Sequence, residues 1–228
     1  MQLSSSSALC SVRPLRFSDL KALSQALSAI WFSYDKEHRR SEKLFCLDYL
    51  FSCLGKSNLC LVLHSGEKPA AAVILHLPGH CQASHPGRYG AVKRLIFKAL
   101  KQLFSLCIRL DPYCREGSRY HQRYGENYVK LGQMVSGHEN KGEIVLLFAD
   151  PALQGRGLGR TLMQAAEDAF RECGVQDVFL LTDVNCNYGL YPHLGWNLSK
   201  TVRLDFSAVK NSGEYVFNCF IYEKQLKA

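Results

Sequence analysis

The spacing of apolar and polar positions changes several times along the chain, and each change marks an element. Ser11 to Asp19 (SVRPLRFSD) reads as a short strand leaving through a turn, with Ser18 or Asp19 placed to cap the next helix. Leu20, Leu23, Leu27, Ile30 and Trp31 then recur at helical spacing, and a second helical set, Leu44, Leu47, Tyr49, Leu50, Phe51 and Leu54, stops at Gly55. The apolar runs Asn58 to His64 and Ala70 to Leu77 flank Ser65-Gly66-Glu67-Lys68-Pro69, a hairpin signal because Gly and Pro are confined to the loop. Gly79 to Gly142 is less regular. Its middle, Ala91 to Leu110, sets a stripe of Val92, Leu95, Ile96, Ala99, Leu103 and Leu106 against Lys93, Arg94, Lys98 and Lys101. Such a basic amphipathic helix either lies on a membrane or, more commonly, packs on its own domain, which is the expectation here.

From Glu143 onward the signal sharpens. An apolar run from Ile144 to Ala149 meets Pro151 and a glycine-dense turn. A helical pattern then follows, with Leu158, Leu162, Ala165, Ala166, Ala169 and Cys173 on one face and Gly174 at its end. Val175 to Thr182 reads as the next strand, its apolar run Val178 to Leu181 as expected of a strand buried on both faces. Asp183 to Leu194 reads as a short helix, and Asn197 to Phe206 and Glu214 to Gln225 as a last pair of strands.

The turn carries the first chemistry. Gly155, Gly157 and Gly159 expose backbone N–H groups and let a ligand approach without Cβ atoms in the way. A helix beginning there adds its unpaired first-turn amides and its positive dipole end, a combination that binds phosphate. A Walker loop would end in Gly-Lys-Ser/Thr, whereas Gly159 is followed by Arg160 and Thr161; a dinucleotide fingerprint would need glycine where Arg160 stands.

What remains, Gln154-Gly155-Arg156-Gly157-Leu158-Gly159, resembles the Gln/Arg-x-x-Gly-x-Gly/Ala loop of the GNAT acyl-CoA N-acyltransferases, which holds the pyrophosphate of coenzyme A. Further on, Asn187-Tyr188-Gly189-Leu190-Tyr191-Pro192-His193-Leu194-Gly195-Trp196 resembles the GNAT pattern Asn-x-x-Phe/Leu-Tyr-x-x-x-Gly-Phe, with Trp196 in place of Phe. The resemblance implies that Tyr191 is the general acid beside the coenzyme A sulfur and that Asn187 contacts the pantetheine arm. It places Glu143, eleven residues before Gln154, where some relatives carry a base acting through water. His138, Glu139 and Asp183 are fallback bases. It also implies that strand four splays from strand five, so that the backbone of Leu147, Phe148 and Ala149 pairs with the pantetheine amides. Gln154 to Arg160 would hold the diphosphate.

Composition narrows the setting. A chain of 228 residues, 47% hydrophobic, can bury a real core. The ten cysteines include no Cys-x-x-Cys pair, and reduced thiols in the cytoplasm fit best. Cys46 and Cys53 share a helical face and are expected in the core. The start, MQLSSSSALC, lacks the basic and apolar regions of an export signal, and no apolar run reaches the roughly 20 residues needed to span a bilayer. Net charge is +8, and Arg88 to Lys130 holds ten Lys or Arg against three Asp or Glu. Such a surplus is usually a solvated face; coenzyme A, an acidic substrate or nucleic acid would also suit it. Tyr113, Tyr120, Tyr124 and Tyr128 among Arg115, Arg119 and Arg123 have the composition of a single-stranded nucleic-acid surface, but the run is short and lacks a known motif, so nucleic acid is not expected. A helical flap beside the acceptor pocket is the preferred reading. His76, His80, Cys81 and His85 have irregular spacing, and no metal site is expected.

The expectation is therefore a single α/β (α+β) domain over 1–228, a GNAT-like three-layer αβα sandwich around a mixed sheet of about seven strands. A basic helical insertion, 79–142, falls between strands three and four, and the acetyl-CoA-binding core is 143–196. The implied activity is acetyl transfer from acetyl-CoA to a primary amine of a small molecule or peptide, by direct attack and without a cysteine nucleophile. A module that holds acyl-CoA without turnover and docks on RNA or an acidic protein is the alternative. The acceptor is not legible, and oligomeric state, a homodimer included, stays open.

Overall fold

The computed structural model describes residues 10–32, 39–79, 81, 85–207 and 215–227, without the side chains of Arg39, Arg115 and Glu116. The serine-rich start weighed as a leader, His80 and Glu214 lie outside the described residues. The described strands are β1 (Cys10–Pro14), β2 (Leu59–Ser65), β3 (Lys68–His76), β4 (Gly142–Ala149), β5 (Asp177–Asp183), β6 (Asn197–Asp205) and β7 (Val216–Gln225). They form one seven-stranded sheet in the order β1-β2-β3-β4-β5-β7-β6. Neighbours are antiparallel except β4 and β5, which run parallel. The mixed sheet has helices on both faces, as the sequence implied.

One face carries α5 (Leu158–Glu172), whose Leu158, Leu162, Met163, Ala166, Ala169 and Phe170 are buried over β2 to β5. Gly142 is where β4 passes closest to it: an added Cβ would come within 2.5 Å of the Phe170 ring, so only glycine lets the strand lie there. The other face carries α1 (Leu20–Trp31) and α2 (Arg39–Lys56), with Cys46 and Cys53 in the core between them and the sheet. The expected cap of α1 differs. Asp19 does not cap it, because its carboxylate already accepts from both terminal nitrogens of Arg13 and from the backbone N–H of Arg16, each at 2.8 Å.

Between β3 and β4 come two long helices, α3 (Ala91–Leu110) and α4 (Arg115–Gln133). The expectation that the apolar stripe of α3 packs on its own domain fails. Phe97 and Ile108 are buried and Leu100 and Phe104 pack beside them against α2, whereas Val92, Leu95, Leu103, Leu106 and Leu110 are more than half exposed. The helix carries apolar residues over more than half its circumference, and the domain covers the arc of its aromatics. The tyrosines of α4 also behave differently from a nucleic-acid surface. Tyr120, Tyr124 and Tyr128, one helical turn apart, pack inward on Phe179, Phe206 and Leu181 rather than offering their faces to bases. No described helix is long and apolar enough to cross a membrane.

His121 on α4 is clamped between the rings of Phe45, 4.3 Å away, and Phe32, 5.5 Å away. Burial pushes it down to about 4, against an ordinary value of 6.5. The unfolded chain therefore binds one more proton than the folded chain between pH 6.5 and about 4. Stability is unaffected above that window, declines as pH falls through it, and levels off below it. The loss is expected to approach about 3 kcal/mol, less the part solvent screens at this half-buried ring. Urea midpoints measured at pH 7 and pH 4.5 should separate less in His121→Phe than in the wild type.

Candidate active site

The site is made by the divergence of β4 and β5. Their parallel pairing covers only Gly142 with Val178, Glu143 with Phe179 and Ile144 with Leu180. Opposite β3 the register jumps from Ile74 facing Leu146 to Leu75 facing Ile144, which leaves Val145 as the extra residue of a bulge. A bulge bends and twists its strand, and here it falls where pairing with β5 stops. Beyond it Leu147, Phe148 and Ala149 remain bonded to Val73, Ala72 and Ala71 on one side, while their β5-facing edge has no strand partner. β5 continues with β7 as far as Asp183 opposite Cys219. Two buried strand edges thus diverge around a slot, and unpaired peptide groups in such a place favour a ligand that can bond to them.

At the wide end of the slot lies the glycine turn. Asp150 donates its N–H to Ala70 and accepts from the N–H of Ala152, fixing a single 3-10 turn at Pro151–Leu153. Gly155 and Gly157 have φ of +79° and +75°, a region that L side chains enter only under strain. Gly157 is the N-cap of α5, and the first helical bond runs from the N–H of Thr161 to the Gly157 carbonyl. The amides from Gly155 to Arg160 precede that bond and donate to no acceptor among the described residues. No acidic residue sits in the first turn of α5, so no side chain of that turn neutralises its positive end. Gln154, Arg156 and Arg160 are exposed around it.

Tyr191 lies in a one-turn helix, α6 (Leu190–His193). The helix expected from Asp183 to Leu194 is thus shorter. The Asp183 carboxylate accepts from the N–H of Asn185, its carbonyl accepts from Cys186, and the Cys186 carbonyl accepts from Tyr188, so these backbone groups serve turns instead. The Tyr191 backbone is pinned, its carbonyl accepting from Leu194 and Trp196 at 3.0 and 3.1 Å. Burial, then the neighbouring Cys186, raise its hydroxyl above the usual phenol value, against a smaller opposite influence of Thr182. A Cβ on Gly159 would come within 3.3 Å of Leu190, so the glycine turn and the tyrosine turn are in direct contact. Asn187 is exposed beside them, its carbonyl accepting from Leu190.

Because side chains alternate along a strand, Thr182 and Asp183 face opposite sides of the end of β5. On the α4 side Asp183 is buried and accepts from Tyr124 and Tyr128 at 2.7 and 2.8 Å. Tyr49 of α2 adjoins the same chamber. Burial, and then the neighbouring Cys53, Cys186 and Asp183, hold its hydroxyl well above the usual value. Glu143 opens onto this side as well, half-buried and in register with Phe179. Burial, with a smaller push from Glu143, raises Cys53 to about 11. Cys186 is likewise raised to about 11, first by burial, so neither thiol has the character of a nucleophile at neutral pH. His138 and Glu139 are exposed in a turn ahead of β4, 3.5 Å from each other, and the structure does not bring them to the slot. Of the other histidines weighed, His76 donates to the Lys56 carbonyl and His85 lies 3.6 Å from Glu172.

Trp196 explains itself through a residue that the sequence reading passed over. Its indole N–H donates to Glu167 at 3.0 Å, and Lys224 donates to the same oxygen at 2.7 Å and to the Leu194 carbonyl at 2.8 Å. Arg171 holds the other oxygen of Glu167 at 3.3 Å. An acid on the buried face of α5 was the available signal, and it ties that helix to β7 and to the turn carrying Tyr191. Glu167→Ala should leave a poorly solvated ammonium and an indole N–H without their acceptor, at a cost of about 3 kcal/mol in unfolding free energy, read from the urea midpoint. A separate open cleft of about 430 Å³, lined by Lys141, Asp177, Asn197 and Glu223 among others, lies at the opposite end of β5 from this site.

Residues 115–196 match the sequence model of the Acetyltransferase (GNAT) family. Mycothiol acetyltransferase of Renibacterium salmoninarum is 31% identical over 77 residues, which are 33% of this chain and 23% of that protein, so the match spans about a quarter of the relative. Among solved structures, the ribosomal-protein-S18-alanine N-acetyltransferase of Escherichia coli superposes with a TM-score of 0.52 at 16% identity, over 96% of each chain. A mutant agmatine N-acetyltransferase in its apo form gives 0.55 at 17% identity, over 95% of this chain and 99% of that one. An N-acetyltransferase of Staphylococcus aureus Mu50 gives 0.52 at 11%, over 96% and 99%. At these identities the likeness to the solved structures is one of fold.

Proposed function

The chain belongs to the GNAT superfamily of acetyltransferases, and from that premise we propose that it transfers an acetyl group from acetyl-CoA to a primary amine by direct attack. What supports this reading is one coincidence of place. The free amides of Gly155 to Arg160 and the unpaired edges of β4 and β5 lie at one end of the sheet, and the turn that carries Tyr191 touches the glycine turn through Leu190 and Gly159. A diphosphate would sit on the amides with Arg156 and Arg160 beside it, pantetheine would complete the sheet edge at Leu147 to Ala149 with Asn187 on its arm, and the thioester would reach the end of β5.

The amine nitrogen attacks the thioester carbonyl carbon, the carbon–sulfur bond breaks, and the nitrogen gives up a proton while the departing thiolate gains one. Tyr191 supplies that last proton. Burial keeps the phenol protonated at rest, and a thiolate formed in the same dry surroundings is itself poorly solvated, so transfer relieves it. Glu143 takes the proton of the amine through water from the α4 side of the sheet. On that side Tyr49, Tyr124, Tyr128 and Asp183 would wall the acceptor, with the 79–142 insertion as flap.

Release of free thiol from acetyl-CoA, measured against a panel of polyamines, amino acids, aminoglycosides and peptides, tests this. Turnover with at least one amine, absent without acceptor, is expected. Saturable coenzyme A binding with no thiol release from any acceptor would instead make the protein an acyl-CoA-binding module.

A further inference from the structure

Fourteen large hydrophobic side chains stand exposed among the described residues, and six of them, Val92, Leu95, Ile96, Leu103, Leu106 and Leu110, belong to α3. They are not scattered. At 100° per residue the six fall within about 100° of one another, in a stripe that follows the helix for its whole length of roughly 30 Å. Tyr113 continues it past the C-terminal end, 76% exposed, and Phe17 adjoins the buried ring of Phe97 at 5.8 Å, itself 53% exposed. A contiguous patch of this kind marks a surface that something covers.

Charge identifies what covers it. α3 contains Lys93, Arg94, Lys98, Lys101 and Arg109 and no Asp or Glu. Lys98 and Arg109 are exposed on one flank of the stripe, and Arg94 and Lys101 are half-buried behind them. Two acids beside the helix are already engaged: Asp48 accepts from Ser105, and Asp111 lies 3.5 Å from Arg40. Two copies of this chain pairing stripe to stripe would bring their basic flanks together when antiparallel, and when parallel would offer them no carboxylate of the facing helix. A flat anionic surface meets both features. With five cations in its 20 residues, the helix is suited to lie along a bilayer rather than to cross it.

We propose that α3 docks the protein on an anionic lipid bilayer, with the stripe at the headgroup boundary and Lys98 and Arg109 against lipid phosphates. The proposal is independent of the acetyl-transfer reading, since it uses none of the residues of the slot. Basic residues are drawn to an anionic leaflet, and salt screens that attraction beyond a Debye length. Reversing two of them is therefore expected to weaken binding at least about tenfold.

Flotation of the full chain tests it, with vesicles of phosphatidylcholine alone and of phosphatidylcholine mixed with phosphatidylglycerol, at low and high salt. The wild type should float with the mixed vesicles at least about tenfold better than with the neutral ones and be partly released by salt. Leu95→Glu combined with Leu106→Glu should abolish flotation, and Lys98→Glu combined with Arg109→Glu should weaken it at least about tenfold. Both variants should keep the wild-type circular dichroism spectrum and coenzyme A titration. A wild type that stays in the soluble fraction with mixed vesicles would overturn the proposal, as would variants that float like it. So would a dimer in sedimentation equilibrium that Leu95→Glu with Leu106→Glu turns into monomer, since a second copy would then own the stripe.

Discussion

Tyr191→Phe is expected to lower kcat for acetyl transfer by about 100- to 10,000-fold, the range typical of losing a positioned general acid, while acetyl-CoA affinity changes by no more than about twofold. The split between the two parameters is the informative part. The ring of Tyr191 packs beside Tyr222 at 5.3 Å and its backbone closes the turn to Trp196. Phenylalanine preserves both, so the cofactor slot keeps its shape. Only the hydroxyl is lost, and with it the proton for the leaving sulfur. A merely structural tyrosine would instead reveal itself by an unchanged kcat and a lowered unfolding midpoint.

Gly157→Asp is expected to weaken acetyl-CoA binding by about 100-fold, or about 2.7 kcal/mol. Two physical effects act together. Aspartate is strained at the φ of +75° that this N-cap adopts, and its carboxylate is an internal competitor for the same free amides and dipole end that a diphosphate would use. The side chain can satisfy the helix, so the fold should survive; the anion site should not. Isothermal titration of acetyl-CoA into the variant checks this, with desulfo-coenzyme A as a probe that cannot react.

Both predictions concern the stretch from Glu143 to Trp196, which was the most legible part of the chain. Glycines at strained positions, a helix with no acid in its first turn and a tyrosine at fixed distance from a Gly-Trp pair are local features, and local features survive in a string of letters. The hairpin at Gly66 was equally plain, because Gly and Pro are confined to the loop between two apolar runs. Two other kinds of feature were hidden. The stripe of α3 has the periodicity of a core helix, and nothing in its spacing says which of two apolar arcs the domain covers; that depends on α2 being the partner. Glu167 was hidden because its partners, Trp196 and Lys224, are 29 and 57 residues away. The same holds for Asp183, a fallback base in the sequence, which the fold surrounds with Tyr124 and Tyr128. Long-range pairings of polar groups leave no periodic trace.

The insertion links the two halves of the account. α4 carries the tyrosines that meet Asp183, while α3, joined to it by the short turn at Pro112–Cys114, carries the exposed stripe. A protein held at a surface through α3 would keep the α4 side of the sheet close to that surface.

The central claim is that one slot, bordered by the amides of Gly155 to Arg160 and the edges of β4 and β5, takes acetyl-CoA. Calorimetric titration of the wild type and of Gly157→Asp with acetyl-CoA tests it most directly. Saturable binding at one site per chain, weakened about 100-fold in the variant, is the predicted result. No heat of binding in the wild type, or equal affinity in the two proteins, would contradict it.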